Sequence, residues 1–153
     1  MITDKEIIEK GNIEVESNVS DIKLYDIVYD ELRHIMRTNP NISYLAIEQM
    51  YIGRPRTAMR LGKLHGYLMH PLYRENGLEP NFVNNMTLKK HITGKGNCSK
   101  KEVATALQLR YPELEGEIPF AESTAKTKGR YKTDDIYDAI GLAITFIETE
   151  LEN

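Results

Sequence analysis

A chain of 153 residues, 41% hydrophobic and 28% charged, is long enough to bury one real core, so a single globular domain over 1–153 is expected. Its one cysteine, Cys98, excludes an internal disulfide and suits a reducing cytoplasm; MITDKEIIEK has no apolar signal region, and the longest apolar run, residues 139–147, is far too short to span a bilayer. The net charge of −3 argues weakly against a nucleic-acid partner, yet residues 54–101 hold 10 Lys/Arg and only 2 acids, a local +8.

In chain order, Ile7-Ile8 and Ile13–Val15 flank the turn signal Lys10-Gly11-Asn12 and read as a β-hairpin. Ser20 can cap a helix from Asp21 to about Arg37, striped by Leu24, Val28, Leu32, Ile35 and Met36 and ended by Asn39-Pro40. The run Tyr44-Leu45-Ala46-Ile47 inside 43–48 fits a strand buried on both faces, as in a largely parallel sheet. Glu48 follows it at once. A carboxylate there either lies past the strand end in water or points at something positive.

Gly53, Arg54 and Pro55 make a loop, and a helix is expected from about Arg56 to Leu72. Ala58, Gly62 and Gly66 recur along it at four-residue spacing, a small stripe that lets another element approach closely. That element is the domain's own sheet or a second copy of the chain. Residues 81–86 read as a strand and 87–91 as a short helical turn. Ser99 and Glu102 form a capping box for a helix ending at Pro112. Residues 113–133 are polar, acidic first and then basic. The last helix starts near Thr133 and turns Ile136, Ile140, Ala143, Ile144, Ile147 and Leu151 inward. Strands alternating with helices make one α/β domain.

The chemistry concentrates at TDDIYDAIGLAI, residues 133–144. Asp135 and Asp138 are three apart and share one face of the first turn, with Asp134 on a different face. Acids in a first turn commonly serve only the helix dipole. Two carboxylates at the border of a buried face, however, repel each other unless a cation sits between them. An all-oxygen ligand set suits a hard divalent ion such as Mg²⁺. His34, His65, His70 and His91 match no zinc spacing. The stretch GKGNCS can offer backbone N–H groups to a phosphate ahead of a helix but lacks the full nucleotide-binding loop pattern. The middle-third charge is the footprint of a polyanion, or else its lysines face different ways on an ordinary solvated surface.

Three stretches together resemble a known family. AIEQMYIGRPRTAMRLGKLHGYL, residues 46–68, is similar to the second motif region of RuvC-type Holliday-junction resolvases: a strand ending A-I-E-Q, an aromatic shortly after, and a helix with L-G-x-x-x-G. LKKHITGKGNCSKKEV, residues 88–103, resembles the family's basic segment, and TDDIYDAIGLAI its closing D-x-x-D-A motif at a helix start. The match runs from about Glu6 to the C-terminus and is to phage-like members, given the short size and the polar insertion at 113–133.

The resemblance implies a ribonuclease H-like fold, a mixed sheet flanked by helices. It implies a homodimer that nicks branched DNA such as four-way junctions with Mg²⁺ or Mn²⁺, in the cytoplasm of a bacterium or a phage-infected one. Glu48, Asp135 and Asp138 are then metal ligands, expected within about 5–8 Å of one another so as to share metals. Lys100 and Lys89 fall at the family's phosphate-contacting lysines, Lys100 counting with the catalytic set. Tyr51 falls at the aromatic that stacks near the opened junction centre. The DNA surface comprises Arg54, Arg56, Lys89, Lys90, Lys95, Lys100 and Lys101, with Lys126, Lys128 and Arg130 from the later basic stretch. The helix carrying Ala58, Gly62 and Gly66 is the implied dimer face.

The family's opening strand, I-x-G-I-D-P-S, supplies its first catalytic aspartate, and 1–153 contains no such stretch. The first strand is therefore expected to be missing: the chain is truncated, its true start lies upstream, or this form is not a nuclease. As written, the chain is expected to bind branched DNA as a dimer and to cut it little or not at all in Mg²⁺. Beside the nuclease stand two rivals, a catalytically silent branched-DNA-binding dimer of the same fold and an unrelated α/β domain with chance motifs.

Overall fold

A computed structural model describes residues 2–3, 6–7, 10–16, 18–51, 53, 55–114 and 133–151. The chain divides into two compact units: Ile13–Phe82, and Met1–Asn12 together with Val83–Asn153.

In the first of these units, helix α1 spans Asp21–Thr38, capped as expected by Ser20, whose hydroxyl accepts from the Lys23 N–H. Asn39 closes it by donating its N–H to the Ile35 carbonyl. Strand β3 spans Leu45–Glu48. It is shorter than expected: Ser43 and Tyr44 lie outside it, and Tyr44 is exposed. It is also not buried on both faces, since Leu45, Ala46 and Ile47 are half-buried and Glu48 is exposed. Its described sheet has one other strand, β4 at Pro80–Val83.

Between them helix α2 runs Pro55–Asn76, longer at both ends than the sequence reading. Proline suits a first helical position because its missing N–H has no partner there anyway. The helix continues through Pro71 and stops where Gly77 takes φ 69°, with the Gly77 N–H on the Tyr73 carbonyl. Met36, Leu68, Leu72 and Leu78 form the core of this unit, with Leu32, Leu45 and Leu64 packed on it. Each buried leucine removes apolar area worth roughly 1.5–3 kcal/mol from water.

In the other unit, a short antiparallel pair joins β1, Ile2–Thr3, to β2, Glu6–Ile7, in the register Ile2↔Ile7. The hairpin expected around Lys10–Asn12 is absent: residues 10–16 have no regular structure, and Ile8 lies outside the described residues. Ile13 is exposed, so pairing that segment would have buried little.

Helix α3 spans Asn85–Thr93, replacing the expected strand end and short turn. Asn84 starts it by accepting the Met86 N–H, and Gly94 ends it in the left-handed region at φ 77°. Helix α4, Lys100–Arg110, carries the expected capping box, Ser99 and Glu102 each receiving the other's backbone N–H. Helix α5, Thr133–Phe146, continues as a π-helical turn over Ile147–Leu151.

These three helices pack on one another around Leu88, Val103, Leu107, Tyr137, Ile140 and Ile144. α5 is buried on more of its circumference than a single stripe: Asp134, Gly141, Leu142, Thr145 and Phe146 are buried too. The expected inward residues Ile136, Ala143 and Ile147 are half-buried, and Leu151 is exposed because it sits on the terminal π turn. Gly141 lets α3 and α4 approach α5 closely: a Cβ there would lie 3.3 Å from Leu88 Cδ2 and 3.6 Å from Leu107 Cδ1.

Candidate active site

The capping box fixes where α4 begins, and so makes Lys100 its first residue. The head of α5 faces it. The Lys100 ammonium lies 3.1 Å from Asp134 Oδ2, 3.3 Å from Asp135 Oδ1 and 2.8 Å from Asp138 Oδ2. The three carboxylates differ in solvent access: the Asp134 side chain is 6% exposed, Asp138 20% and Asp135 50%. Desolvation alone would lower the Lys100 pKa. Hydrogen bonds to Asp138 and Asp134, reinforced by their charges, outweigh it and hold the ammonium above its ordinary value. Asp134 Oδ1 is buried and has no hydrogen-bond partner among the described residues.

The cation that these carboxylates meet is the Lys100 ammonium, where the sequence reading expected a divalent metal ion. The sequence reading placed Asp134 apart from Asp135 and Asp138. The structure brings all three to one ammonium. Asp134 and Asp138 are four apart, and Asp135 and Asp138 three apart, both facing spacings on a helix. That i, i+4 relation is the signal in the sequence that ties Asp134 to Asp138.

Around the same helix start lie further lysines. The Glu102 carboxyl is held below its usual range, first by the backbone and hydroxyl of Ser99, and further by the charges of Lys95 and Lys89. Lys90, Lys95 and Lys101 are exposed and Lys89 and Lys100 half-buried. Lysines thus flank the junction of α3 and α4: Lys89 and Lys90 on α3, Lys95 in the turn, and Lys101 beside Lys100 on α4. A second ionic cluster pins the end of the chain: Glu148 accepts from Arg110 and, at 2.7 Å, from His91 Nε2.

The remaining candidates belong to the other unit. Glu48 is the exposed last residue of β3. Tyr51 is 80% exposed, and Arg56 is exposed in the first turn of α2. Along the small stripe, a Cβ on Gly62 would touch Met50 at 3.7 Å, whereas one on Gly66 would meet nothing within 4 Å. Ala58 is half-buried. Arg54, Lys126, Lys128 and Arg130 lie outside the described residues.

Among the described residues no group of three or more His, Cys, Asp or Glu is placed to hold a metal ion. The donors at the α5 head are all carboxylate oxygens, and the cation they hold is the Lys100 ammonium, with Asp134 Oδ1 left without a partner among the described residues. No helix of the described residues is long and apolar enough to cross a membrane.

The family model described as crossover junction endodeoxyribonuclease RuvC matches residues 3–146. A solved structure with a similar fold is that of RuvC from Thermus thermophilus, with a TM-score of 0.62 at 14% identity, covering 89% of this chain and 75% of that one. That likeness is one of fold, and it bears out the ribonuclease H-like α/β architecture expected from the motifs. No curated protein matches the chain.

Proposed function

The chain belongs to the RuvC family of crossover junction endodeoxyribonucleases, and on that premise we propose that it binds branched DNA, four-way junctions foremost, as a homodimer and nicks it with a divalent metal. The observation that supports this most is the convergence of Asp134, Asp135 and Asp138 on Lys100 at the head of α5, where the sequence carries D-x-x-D-A.

In this reading the roles come from the family's motifs: Asp135 and Asp138 are ligands to Mg²⁺ or Mn²⁺, Asp134 is a buried carboxylate beside them, and Glu48 is the ligand that the A-I-E-Q motif contributes. When bound, such an ion supplies positive charge for attack of water on a phosphodiester and for departure of the 3′-oxygen. Lys89 and Lys90 of α3, Lys95 of the following turn and Lys101 of α4 hold the DNA backbone, and Arg54, Arg56, Lys126, Lys128 and Arg130 are further phosphate contacts. Such contacts position DNA without reading its sequence. Tyr51, exposed after β3, stacks on a base unpaired at the branch point. The open side of α2 at Gly66, with Gly62 and Ala58, forms the contact with a second copy. The site of action is the cytoplasm of a bacterium, or of one infected by phage.

The second reading, a silent junction-binding dimer, has its own observation. Lys100 already places its ammonium among the α5 carboxylates, where a metal would sit. The test is a strand-labelled four-way junction with the parent and Glu48→Gln. Nicks that need Mg²⁺ or Mn²⁺ and vanish in the variant, with binding retained, identify the nuclease. Binding by both with no nick in either metal identifies the silent form. No preference for the junction over duplex defeats both.

A further inference from the structure

Between the N-terminal halves of α1 and α2 lies an open groove of about 480 Å³, lined by Leu24, Tyr25, Arg56, Arg60, Leu61 and Leu64. It lies wholly within the unit Ile13–Phe82. Its lining is largely aliphatic: Leu24 and Leu64 are half-buried and Leu61 is exposed. Tyr25 is all but buried, and its hydroxyl donates to the Arg60 carbonyl. The two guanidiniums are not equivalent. Arg60 holds Asp21 at 3.1 Å. Arg56, one turn earlier on the same face of α2, is exposed and has no ion pair or hydrogen bond among the described residues. An aliphatic lining beside one free cation and one half-engaged cation suits an occupant that is apolar and anionic at once. A nucleotide fits less well. Base stacking needs an aromatic face, and the one aromatic ring in the lining is buried. Asp21 beside Arg60 also repels a phosphate chain. A carboxylate set next to an aliphatic side chain meets both parts of the lining.

We propose that the groove between α1 and α2 docks an acidic peptide of a partner protein, in which large aliphatic side chains are flanked by carboxylates. The aliphatic side chains lie on Leu24, Leu61 and Leu64. One carboxylate pairs with Arg56 through the two parallel hydrogen bonds that a guanidinium offers. A second carboxylate competes with Asp21 for Arg60. The contact is small, so these few anchors carry most of its strength. Arg56 is also among the phosphate contacts proposed above, so the peptide and DNA cannot hold it together. That competition rests on the DNA-binding reading, whereas the groove and its occupant do not.

Two measurements on the full chain test it, and neither depends on cleavage or on a junction. In the first, the parent protein is titrated with the hexapeptide Asp-Glu-Leu-Leu-Glu-Asp to millimolar concentration and followed by backbone amide NMR. Saturable shifts should cluster at Leu24, Tyr25, Arg56 and Leu61. Asp-Glu-Ser-Ser-Glu-Asp keeps the charge and Asn-Gln-Leu-Leu-Gln-Asn keeps the apolar pair; each should bind at least about tenfold more weakly. The second is fluorescence anisotropy with the labelled leucine peptide. Arg56→Glu should weaken binding by at least about tenfold. Arg74→Glu makes the same charge change about 27 Å farther along α2, well beyond the screening length, and should alter binding by less than about twofold. Absence of shifts at the groove residues overturns the proposal, as do equal shifts with the serine peptide. Equal weakening by Arg56→Glu and Arg74→Glu overturns it too, because it would reduce the effect to net charge. Stronger shifts at the same residues with a short oligothymidylate than with the leucine peptide would make the groove a nucleotide site and likewise overturn it.

Discussion

Substituting Lys100→Met in metal-free buffer removes one ammonium from three carboxylates and leaves an apolar chain of similar length. At about 3 Å and an effective dielectric near 20, each pair attracts by roughly 5 kcal/mol before solvent is considered. Solvent takes most of that from Asp135, which is 50% exposed, and part of it from Lys100, which is 38% exposed. Asp134, at 6%, retains the largest share, and losing its partner leaves a carboxylate nearly out of water. An exposed pair is worth at most about 1 kcal/mol, and breaking a buried one costs about 3–5 kcal/mol. The expected loss lies between them, at about 2–3 kcal/mol. For a chain of this size that lowers the melting temperature by about 5–10 °C. The assay is urea unfolding in EDTA followed by circular dichroism. Adding Asp134→Asn to Lys100→Met should recover about half the loss, because the charge left stranded is then gone. A Lys100→Met loss below about 0.5 kcal/mol would refute the reasoning, since it would mean that the three contacts are solvated as fully as surface pairs.

The second ionic cluster gives a pH dependence. The Arg110 hydrogen bonds, acting against desolvation and helped by His91, hold the Glu148 carboxyl down to about 2. A depressed carboxylate adds stability above its unfolded value, about 4.3, and loses it as pH falls toward about 2. Glu148→Gln should therefore cost on the order of 1–2 kcal/mol at pH 7, after discounting for the exposure of Arg110, and nothing near pH 2. Urea titrations at several pH values check it, and a pH-independent difference would show that the carboxylate's charge is not what matters. Lys89→Ala should weaken binding to all DNA substrates and flatten the salt slope by about one unit, as measured by fluorescence anisotropy over a salt series. Tyr51→Ala should leave duplex binding unchanged and reduce the preference for branched DNA, which competition binding reads directly.

The helices were the legible part of the sequence, and their caps were the reason. Ser20, and Ser99 with Glu102, each satisfy an N–H that no helical carbonyl reaches, so local chemistry alone fixes those starts. Asn84 does the same for α3. That cap is masked in the sequence because Asn81–Met86 also suits a strand by composition. The strands were less legible. Their lengths depend on partners distant in sequence, and neither the Ile2–Ile7 pair nor the late start of β3 at Leu45 follows from local pattern. At the site, Asp135, Asp138 and Lys100 were chosen from motifs, and the structure gathers them. That Lys100 is the counter-charge, and that Asp134 is the most buried of the acids, required the packing of α4 against α5. No spacing within either segment encodes a contact across 34 residues between Lys100 and Asp134.

The most direct test of the functional account is a single gel: a strand-labelled synthetic four-way junction, competed with duplex of the same composition, in Mg²⁺, for the parent and Glu48→Gln. The account predicts that both proteins hold the junction, two chains per junction, against about a hundredfold excess of duplex. It predicts slow nicking by the parent and none by Glu48→Gln. Equal competition by duplex and junction, or nicking that survives Glu48→Gln, would contradict it.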